Sequence, residues 1–441
     1  MVSYSVRVTW LYFYIIVQIQ IYKIYFFLYL CIMEKRGFIR ILSLFALLAC
    51  ISSCSITSCK ENPEEEKVRS VLLYISANNN LHSYAEECIQ DIKKGYVPQY
   101  KDQNNILLVF YHTPGKTPTL SRYSSNKDGV VICETICIYE PEMNSSQISS
   151  FSRVVADAER TYPATDHGLI LWSHATGWLP EGYYANPLDK AGDKSSQPVE
   201  DPYRFLVKSP TGEPLQKSFG SDNNSEMEIT ELAAALPHNY EFILFDCCLM
   251  GGIEVAYEFK DKCEYMLFSP TEILADGFPY EKMFAPIFNV ENREDALKQV
   301  CSDYFAIYDA QTGIYRSATV SMVRCSALEK LAEVCTSIYH NNQDSILTID
   351  DSQLQIYYRY DKKWYYDFED IVSRIATSAQ YAEFKTALNG AIVYKATTEI
   401  FLNISIERYS GLSTYLPRPQ YKNLNNFYKT LKWNIATGYV K

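Results

Sequence analysis

Asn239-Tyr240-Glu241-Phe242-Ile243-Leu244-Phe245-Asp246-Cys247-Cys248-Leu249-Met250 is the stretch on which the reading of this chain turns. Phe242 to Phe245 is a short, wholly apolar run, the pattern of a strand buried on both faces of a parallel sheet. It stops abruptly at an acid and two thiols. In open α/β sheets the chemistry gathers at the carboxyl ends of the strands, and Asp246, Cys247 and Cys248 sit at such an end. Outward from there, a second apolar run, Leu169-Ile170-Leu171-Trp172, ends in Ser173-His174-Ala175-Thr176-Gly177-Trp178. One strand end offers a thiol and the other an imidazole, the equipment of nucleophilic catalysis by cysteine.

The remaining pattern alternates strand and helix. Val68 to Ala77 reads as the first strand, broken by Asn78-Asn79-Asn80. Leu81 to Lys94 then carries Leu81, Tyr84, Ala85, Cys88, Ile89 and Ile92 at the spacing of an apolar helical stripe. Asn105 to Tyr111 is the next strand, and Leu120 to Tyr123 with Val130 to Tyr139 form a hairpin turning at Asn126 to Gly129. Helices over Gln147 to Tyr162, Glu228 to Leu236 and from Met250 to Phe259, with a strand at Tyr265 to Ser269, complete a largely parallel sheet flanked by helices on both faces, an α/β fold. Beyond Phe278 the texture changes. Helices over Glu294 to Tyr308 and Ala327 to Tyr339, a strand over Ala318 to Arg324, a tyrosine-rich helical segment over Gln353 to Tyr381 and short strands at Ala391 to Tyr394, Ile404 to Glu407 and Leu412 to Leu416 predict a smaller C-terminal α+β region. The expected domains are 68–290 and, packed on it, 291–441. Between Trp178 and Asn224 lies a long loop without period, the kind that carries function.

Composition narrows the partners. The chain has 441 residues, 47% hydrophobic, and a net charge of -11, which excludes non-specific binding to nucleic acid or to an anionic membrane surface, since both need a basic face. No Gly-rich phosphate loop is present, so a nucleotide cofactor has no support. Residues 1–32 are rich in Tyr, Ile and Phe but are interrupted by Arg7, Gln18, Gln20 and Lys23, and are read as an extension upstream of the true start. From Met33 a positive segment, an apolar segment (Ile41 to Ile51) and small residues with cysteines give residues 33–59 the layout of a secretory signal. Cys54, and after it Cys59, stands in a context resembling a bacterial lipobox, and 60–67 is a charged tether. The expected location is the cell envelope, lipid-anchored, or the exterior. The later cysteines are scattered, without metal-ligand spacing, so neither a disulfide framework nor a zinc site is expected.

Several pieces, in order, resemble the clostripain family of cysteine peptidases, which have a caspase-like fold: Val71 to Leu81, Leu169 to Pro180, Met227 to Leu236, Phe245 to Glu258, Ser269 to Tyr280 and, near the end, Gly411 to Pro417. The resemblance implies that Cys248 is the nucleophile and His174 the general acid/base, with the N–H groups of Ala175 and Cys248 binding the oxyanion. It further implies that Asp246 and Asp276 line a pocket for a substrate Arg or Lys. A basic side chain entering such a pocket needs buried carboxylates in place of its water, which agrees with the implied residues. Peptide or protein substrates with Arg or Lys before the scissile bond are therefore the expected partners. Self-cleavage in the long loop after a basic residue is also implied, with Lys190, Lys194, Lys208 and Lys217 as candidates. No cofactor is expected from the residues; calcium is implied by the resemblance alone, and no Asp-rich calcium loop is visible.

Two departures stand out. The family's usual His-Gly is His174-Ala175 here, and a left-handed backbone at Ala175 would cost about a kcal/mol. Its usual Asp-Ala-Cys is Asp246-Cys247-Cys248, and strand alternation would put Cys247 on the face opposite Asp246 and Cys248. An inactive relative acting as a binding module is the alternative reading. His167 reads as a turn residue at the wrong end of the sheet for catalysis, and Glu272 as a solvated loop carboxylate.

Overall fold

Why the sheet forms is visible in its central strands, whose side chains are apolar on both faces. The computed structural model describes residues 18, 21–26, 67–184, 203, 206–208, 219–222, 225–288, 291–359 and 362–441. Within Met1–Glu66 only residue 18 and residues 21–26 are described, and they are helical. The expected signal, lipobox and tether, with Cys54 and Cys59, lie outside the described residues.

Lys67–Lys441 is one compact unit. Its elements run β1 (Arg69–Ser76), α1 (His82–Lys94), β2 (Asn105–His112), β3 (Thr119–Ser125), β4 (Val131–Ile138), α2 (Ile148–Thr161), β5 (Asp166–Trp172), β6 (Phe219–Asp222), β7 (Ser225–Met227), α3 (Ile229–Ala235), β8 (Tyr240–Asp246), α4 (Ile253–Glu258), β9 (Cys263–Phe268), α5 (Tyr280–Phe288) and α6 (Arg293–Asp309). They continue through β10 (Thr319–Arg324), α7 (Leu328–Asn341), α8 (Gln343–Thr348), β11 (Tyr366–Asp367), α9 (Phe368–Ile375), α10 (Ser378–Ala391), β12 (Ile392–Thr397), β13 (Ile400–Phe401), β14 (Ile404–Ser405), β15 (Ser413–Thr414), α11 (Lys422–Tyr428) and α12 (Lys432–Thr437).

Among the described residues the main sheet has nine strands in the order β12-β10-β9-β8-β5-β1-β2-β3-β4. The inner five, β9, β8, β5, β1 and β2, pair in parallel, and antiparallel strands close both edges. The order reverses between β1 and β5, because β1 leads on to β2 on one side while β5 and β8 build the other. Such a switch point leaves a crevice at the carboxyl ends of the strands. Val71 to Ile75, Leu169 to Trp172 and Phe242 to Phe245 are all buried, each large side chain contributing ~1.5–3 kcal/mol by leaving water. This is the expected α/β architecture, and β10 and β12 carry the sheet on into the chain beyond residue 291.

One element departs from expectation. Gln353 to Tyr381 is not a single helix: Ile356 bridges Tyr366 in extended structure, and α9 and α10 begin only after caps at Asp367 and Thr377. Tyr357, Tyr358, Trp364, Tyr365 and Tyr366 are buried, and aromatic residues of this kind pack well on extended backbone. His167 also belongs to β5 rather than to a turn, stacked 4.7 Å from His238 at the amino end of the sheet.

Candidate active site

Trp172 and Asp246 are the last paired residues of β5 and β8, so the two segments that follow, His174-Ala175 and Cys247-Cys248, emerge side by side at the carboxyl edge. The strand stops at Asp246. Cys248 lies in a tight turn, with Leu249 at φ 64°, and strand alternation therefore does not reach it; the turn, not the pleat, aims its thiol. The turn is laced to the segment after β9: Leu249 N–H donates to Thr271 O at 2.9 Å and Gly251 N–H to Ser269 O at 2.8 Å. Ile273 N–H donates to Cys248 Sγ at 3.2 Å. The thiol in turn donates to Ile273 O at 3.7 Å, so both backbone groups of Ile273 hold the sulfur in place. Cys247 is fully buried, and burial holds its thiol far above the ordinary range, so it stays protonated.

His174 is buried with an oxygen at each ring nitrogen. Nε2 lies 2.7 Å from Asn80 Oδ1, and Nδ1 meets the carbonyl oxygen of Lys208. The two contacts fix the orientation of the ring. Asn80 falls in the Asn78-Asn79-Asn80 break after β1, where the sequence signals only the end of a strand. Ala175 does not take a positive φ, so its methyl group causes no backbone strain. The left-handed residue is Gly177, at φ 67°, where a Cβ would come within 2.4 Å of Leu249 O. The glycine this turn requires is thus present two residues later.

Leu206-Val207-Lys208 lies across this crevice as a short segment held by one isolated bridge. Val207 bridges Leu274 antiparallel; Lys208 N–H donates to Ile273 O at 2.9 Å, and Ala275 N–H to Leu206 O at 2.8 Å. The Lys208 ammonium is fully buried, 2.6 Å from Asp246 Oδ1 and 4.4 Å from the centre of the Trp172 ring. Asp246 Oδ2 accepts from Tyr280 OH at 2.9 Å and from Phe278 N–H at 3.3 Å. A Cβ on Gly277 would stand 2.4 Å from Lys208 Nζ and 2.6 Å from Asp246 Oδ2, so the pocket needs glycine there. Asp276 is exposed beside this pocket, and among the described residues it has no hydrogen bond or ion pair. Lys190, Lys194 and Lys217 lie outside the described residues.

Glu272 differs from its sequence reading. It is buried and forms a two-bond ion pair with Arg359, Oε1 lying 2.7 Å from Nη2, because the chain beyond residue 291 covers the loop that carries it. That region also grips the turn after Cys248. Buried Glu254 accepts from Thr414 Oγ1 at 2.7 Å, Tyr415 N–H at 3.0 Å and Tyr428 OH at 2.7 Å. Among the described residues no group of three or more His, Cys, Asp and Glu could hold a metal ion.

A strand-end cysteine and histidine beside the switch point of a caspase-like sheet are the hallmarks of a cysteine peptidase. The clostripain family model matches residues 73–191 and 209–435, and the chain belongs to that family, as a cysteine protease. Of the solved structures, it is similar to an inactive zymogen C11 protease from Parabacteroides distasonis, with 30% identity, a TM-score of 0.68, and coverage of 84% of this chain and 98% of that one. It is similar also to a secreted C11 cysteine protease from Bacteroides thetaiotaomicron in complex with an irreversible peptide inhibitor, with 26% identity, a TM-score of 0.67, and coverage of 84% and 99%. To clostripain of Hathewaya histolytica it is 24% identical over 256 residues, a match covering 51% of this chain and 43% of clostripain's own length.

Proposed function

We propose that this chain is an exported cysteine endopeptidase that cleaves after Lys or Arg and that holds itself uncut until it cleaves after Lys208. The supporting observation is the segment Leu206 to Lys208, bound through its backbone to Ile273 and Ala275, with its ammonium on Asp246 and its carbonyl at His174. That is how a substrate adds to a sheet edge, with the backbone supplying affinity and the pocket supplying specificity. Among the described residues Asp246 Oδ1 has no hydrogen-bond partner besides this ion pair. When the segment leaves, a buried carboxylate oxygen awaits another cation. The family match also breaks between 191 and 209, around the proposed cut.

In this reading the Cys248 thiolate attacks the carbonyl carbon of the basic residue. The electron pair moves onto the carbonyl oxygen, held by the N–H groups of Ala175 and Cys248, and His174 protonates the departing amine. Water, deprotonated by His174, then hydrolyses the thioester and frees Cys248. Asn80 orients His174, and Asp276, at the pocket rim, adds long-range attraction for the cation.

The proposed location is the envelope, with acyl chains on Cys54 or Cys59. Among the described residues no helix is long and apolar enough to cross a membrane, and the secreted relative from Bacteroides thetaiotaomicron supports export. The deciding experiment is incubation of the purified full chain and its Cys248→Ala variant, with sequencing of any new amino terminus. The expected result is a new terminus at Ser209 in the parent only, followed by hydrolysis of Lys and Arg peptides. A cut that persists in Cys248→Ala, or peptide cleavage after Leu but not Lys, would refute the proposal.

A further inference from the structure

We propose that Asp222 is a positioning residue for the His174-Ala175 backbone, through the β6–β7 hairpin that it fastens to the carboxyl ends of β1 and β2; this rests on the catalytic reading above. The ladders of the main sheet stop short of His174 and Ala175. Pairing of β5 with β1 ends at Ile75 and Trp172, and pairing with β8 ends at Trp172 and Asp246. Past that point the backbone is taken up by β6: Gly220 N–H donates to His174 O at 3.0 Å, and Ala175 bridges Phe219 antiparallel. In a bridge closed by the neighbours' bonds, the paired residue's own N–H points away from the partner strand. Ala175 N–H is thereby turned from β6, as an oxyanion donor must be.

A two-stranded ribbon of four and three residues cannot hold itself in water. Its anchor is the Asp222 side chain, which has no exposed surface. Oδ1 accepts from Asn78 Nδ2 at 2.8 Å. Oδ2 accepts from Ser145 N–H at 2.7 Å and Ser145 Oγ at 3.0 Å, and lies 3.2 Å from His112 Nδ1. Asn144 Nδ2 donates to the Asp222 carbonyl at 2.9 Å. His112 is the last residue of β2, and Asn78 follows β1 directly, so one carboxylate ties β6 to two strand ends and to the loop before α2. Burial pushes this carboxyl up, but the bonds from His112, Ser145 and Asn78 outweigh it and hold it below the usual range, as befits a permanent anion.

The anchor matters most after activation. Asp222 lies on the far side of the proposed cut from Lys208, so cleavage removes the covalent tether that reaches β6 from the segment in the crevice. From then on the hairpin is kept beside Ala175 only by its own contacts and by the chain that follows it.

The test uses the full chain carrying Asp222→Asn and, as a milder variant that keeps the carboxylate, Ser145→Ala. Each is compared with the parent in kcat and KM on a Lys peptide, in inhibition by a Lys peptide aldehyde and by benzamidine, and in thermal melting. An aldehyde needs the oxyanion donors, whereas benzamidine needs only the Asp246 pocket. For Asp222→Asn we expect kcat to fall about tenfold or more with the aldehyde weakened in proportion, while KM and benzamidine affinity stay within about twofold. Ser145→Ala should shift the same two quantities by about threefold, and it carries the test alone if Asp222→Asn does not fold. Self-cleavage, in which β6 is tethered at both ends, should slow less than peptide turnover. Folded variants with parental kcat, or a loss spread equally over kcat, KM and benzamidine binding in step with melting, would overturn the inference. A parent chain without Cys248-dependent activity would bring down the catalytic reading and this inference with it.

Discussion

Lys208 and Asp246 form an ion pair without exposed surface, and such a pair is far more costly to break than to replace. Asp246→Asn leaves the pocket polar but uncharged, so a desolvated substrate ammonium or guanidinium loses its compensation. We expect kcat/KM for Lys and Arg peptides to fall about a hundredfold or more, ~3 kcal/mol, while iodoacetamide still alkylates Cys248. Asp276→Asn should cost only a few-fold, because that carboxylate is exposed and water screens it; a loss equal to that of Asp246→Asn would show that both acids grip the cation. Asn80→Ala removes the oxygen on His174 Nε2. It should lower kcat by about tenfold, ~1.4 kcal/mol of transition-state stabilisation, with KM unchanged, as read from initial rates over a range of peptide concentrations.

The turns after β5 and β8 are built against each other, and each stores its demand in one residue. Gly177→Ala would combine a left-handed backbone with a Cβ 2.4 Å from Leu249 O. A loss of about 2 kcal/mol or more and a melting temperature lower by several degrees are expected. Ala175→Gly, by contrast, relieves no strain and should change peptide turnover little, which a direct kinetic comparison would check. Farther out, Glu294 on α6 is held down to about 2 by its bonds with Lys298 and Arg324. A depressed carboxyl contributes stability that is present above its ordinary value of 4.5 and is lost as pH falls toward 2. Melting curves of the parent and Glu294→Gln should therefore lie furthest apart near neutrality and converge as the pH falls through that window. A gap that widened on acidification would contradict the assignment. These elements also mark the limit of local pattern. The run Phe242 to Phe245 announces β8 because both faces are apolar, and α1 announces itself by its stripe. The stretch from Gln353 to Tyr381 misleads because tyrosines at helical spacing are equally at home on extended backbone, and only the caps at Asp367 and Thr377 say where the helices start.

Across the whole molecule, a cut after Lys208 leaves β1 to β5 on one fragment and β6 to β15 on the other. The sheet is then divided between β5 and β8, along a fully buried ladder. Exposing so much apolar surface costs far more than the lost peptide bond returns, so the fragments should separate on a denaturing gel yet elute as one species from a sizing column. Independent elution without denaturant would rule out this shared core. At the other end of the chain, replacing both Cys54 and Cys59 by Ser should shift the protein from the membrane fraction to the soluble one; unchanged fractionation would dismiss lipid anchoring.

Sequence alone determined the sheet, its parallel core and the strand ends at which thiol and imidazole emerge, because buried strands need unbroken apolar runs and α/β sheets do their chemistry where those runs stop. It also supplied Asp246 and the group of lysines to which Lys208 belongs. Tertiary structure decided the rest. Asn80 lies ninety-four residues before His174, Glu272 meets Arg359 from across the chain, and Asp222 reaches strand ends that formed long before it in sequence. Each of these pairings joins short polar words that are common in turns and become specific only when folding removes their water. The seating of Lys208 belongs to that class too: its ammonium is buried where a bridged backbone, a buried carboxylate and a glycine without a side chain leave it just enough room.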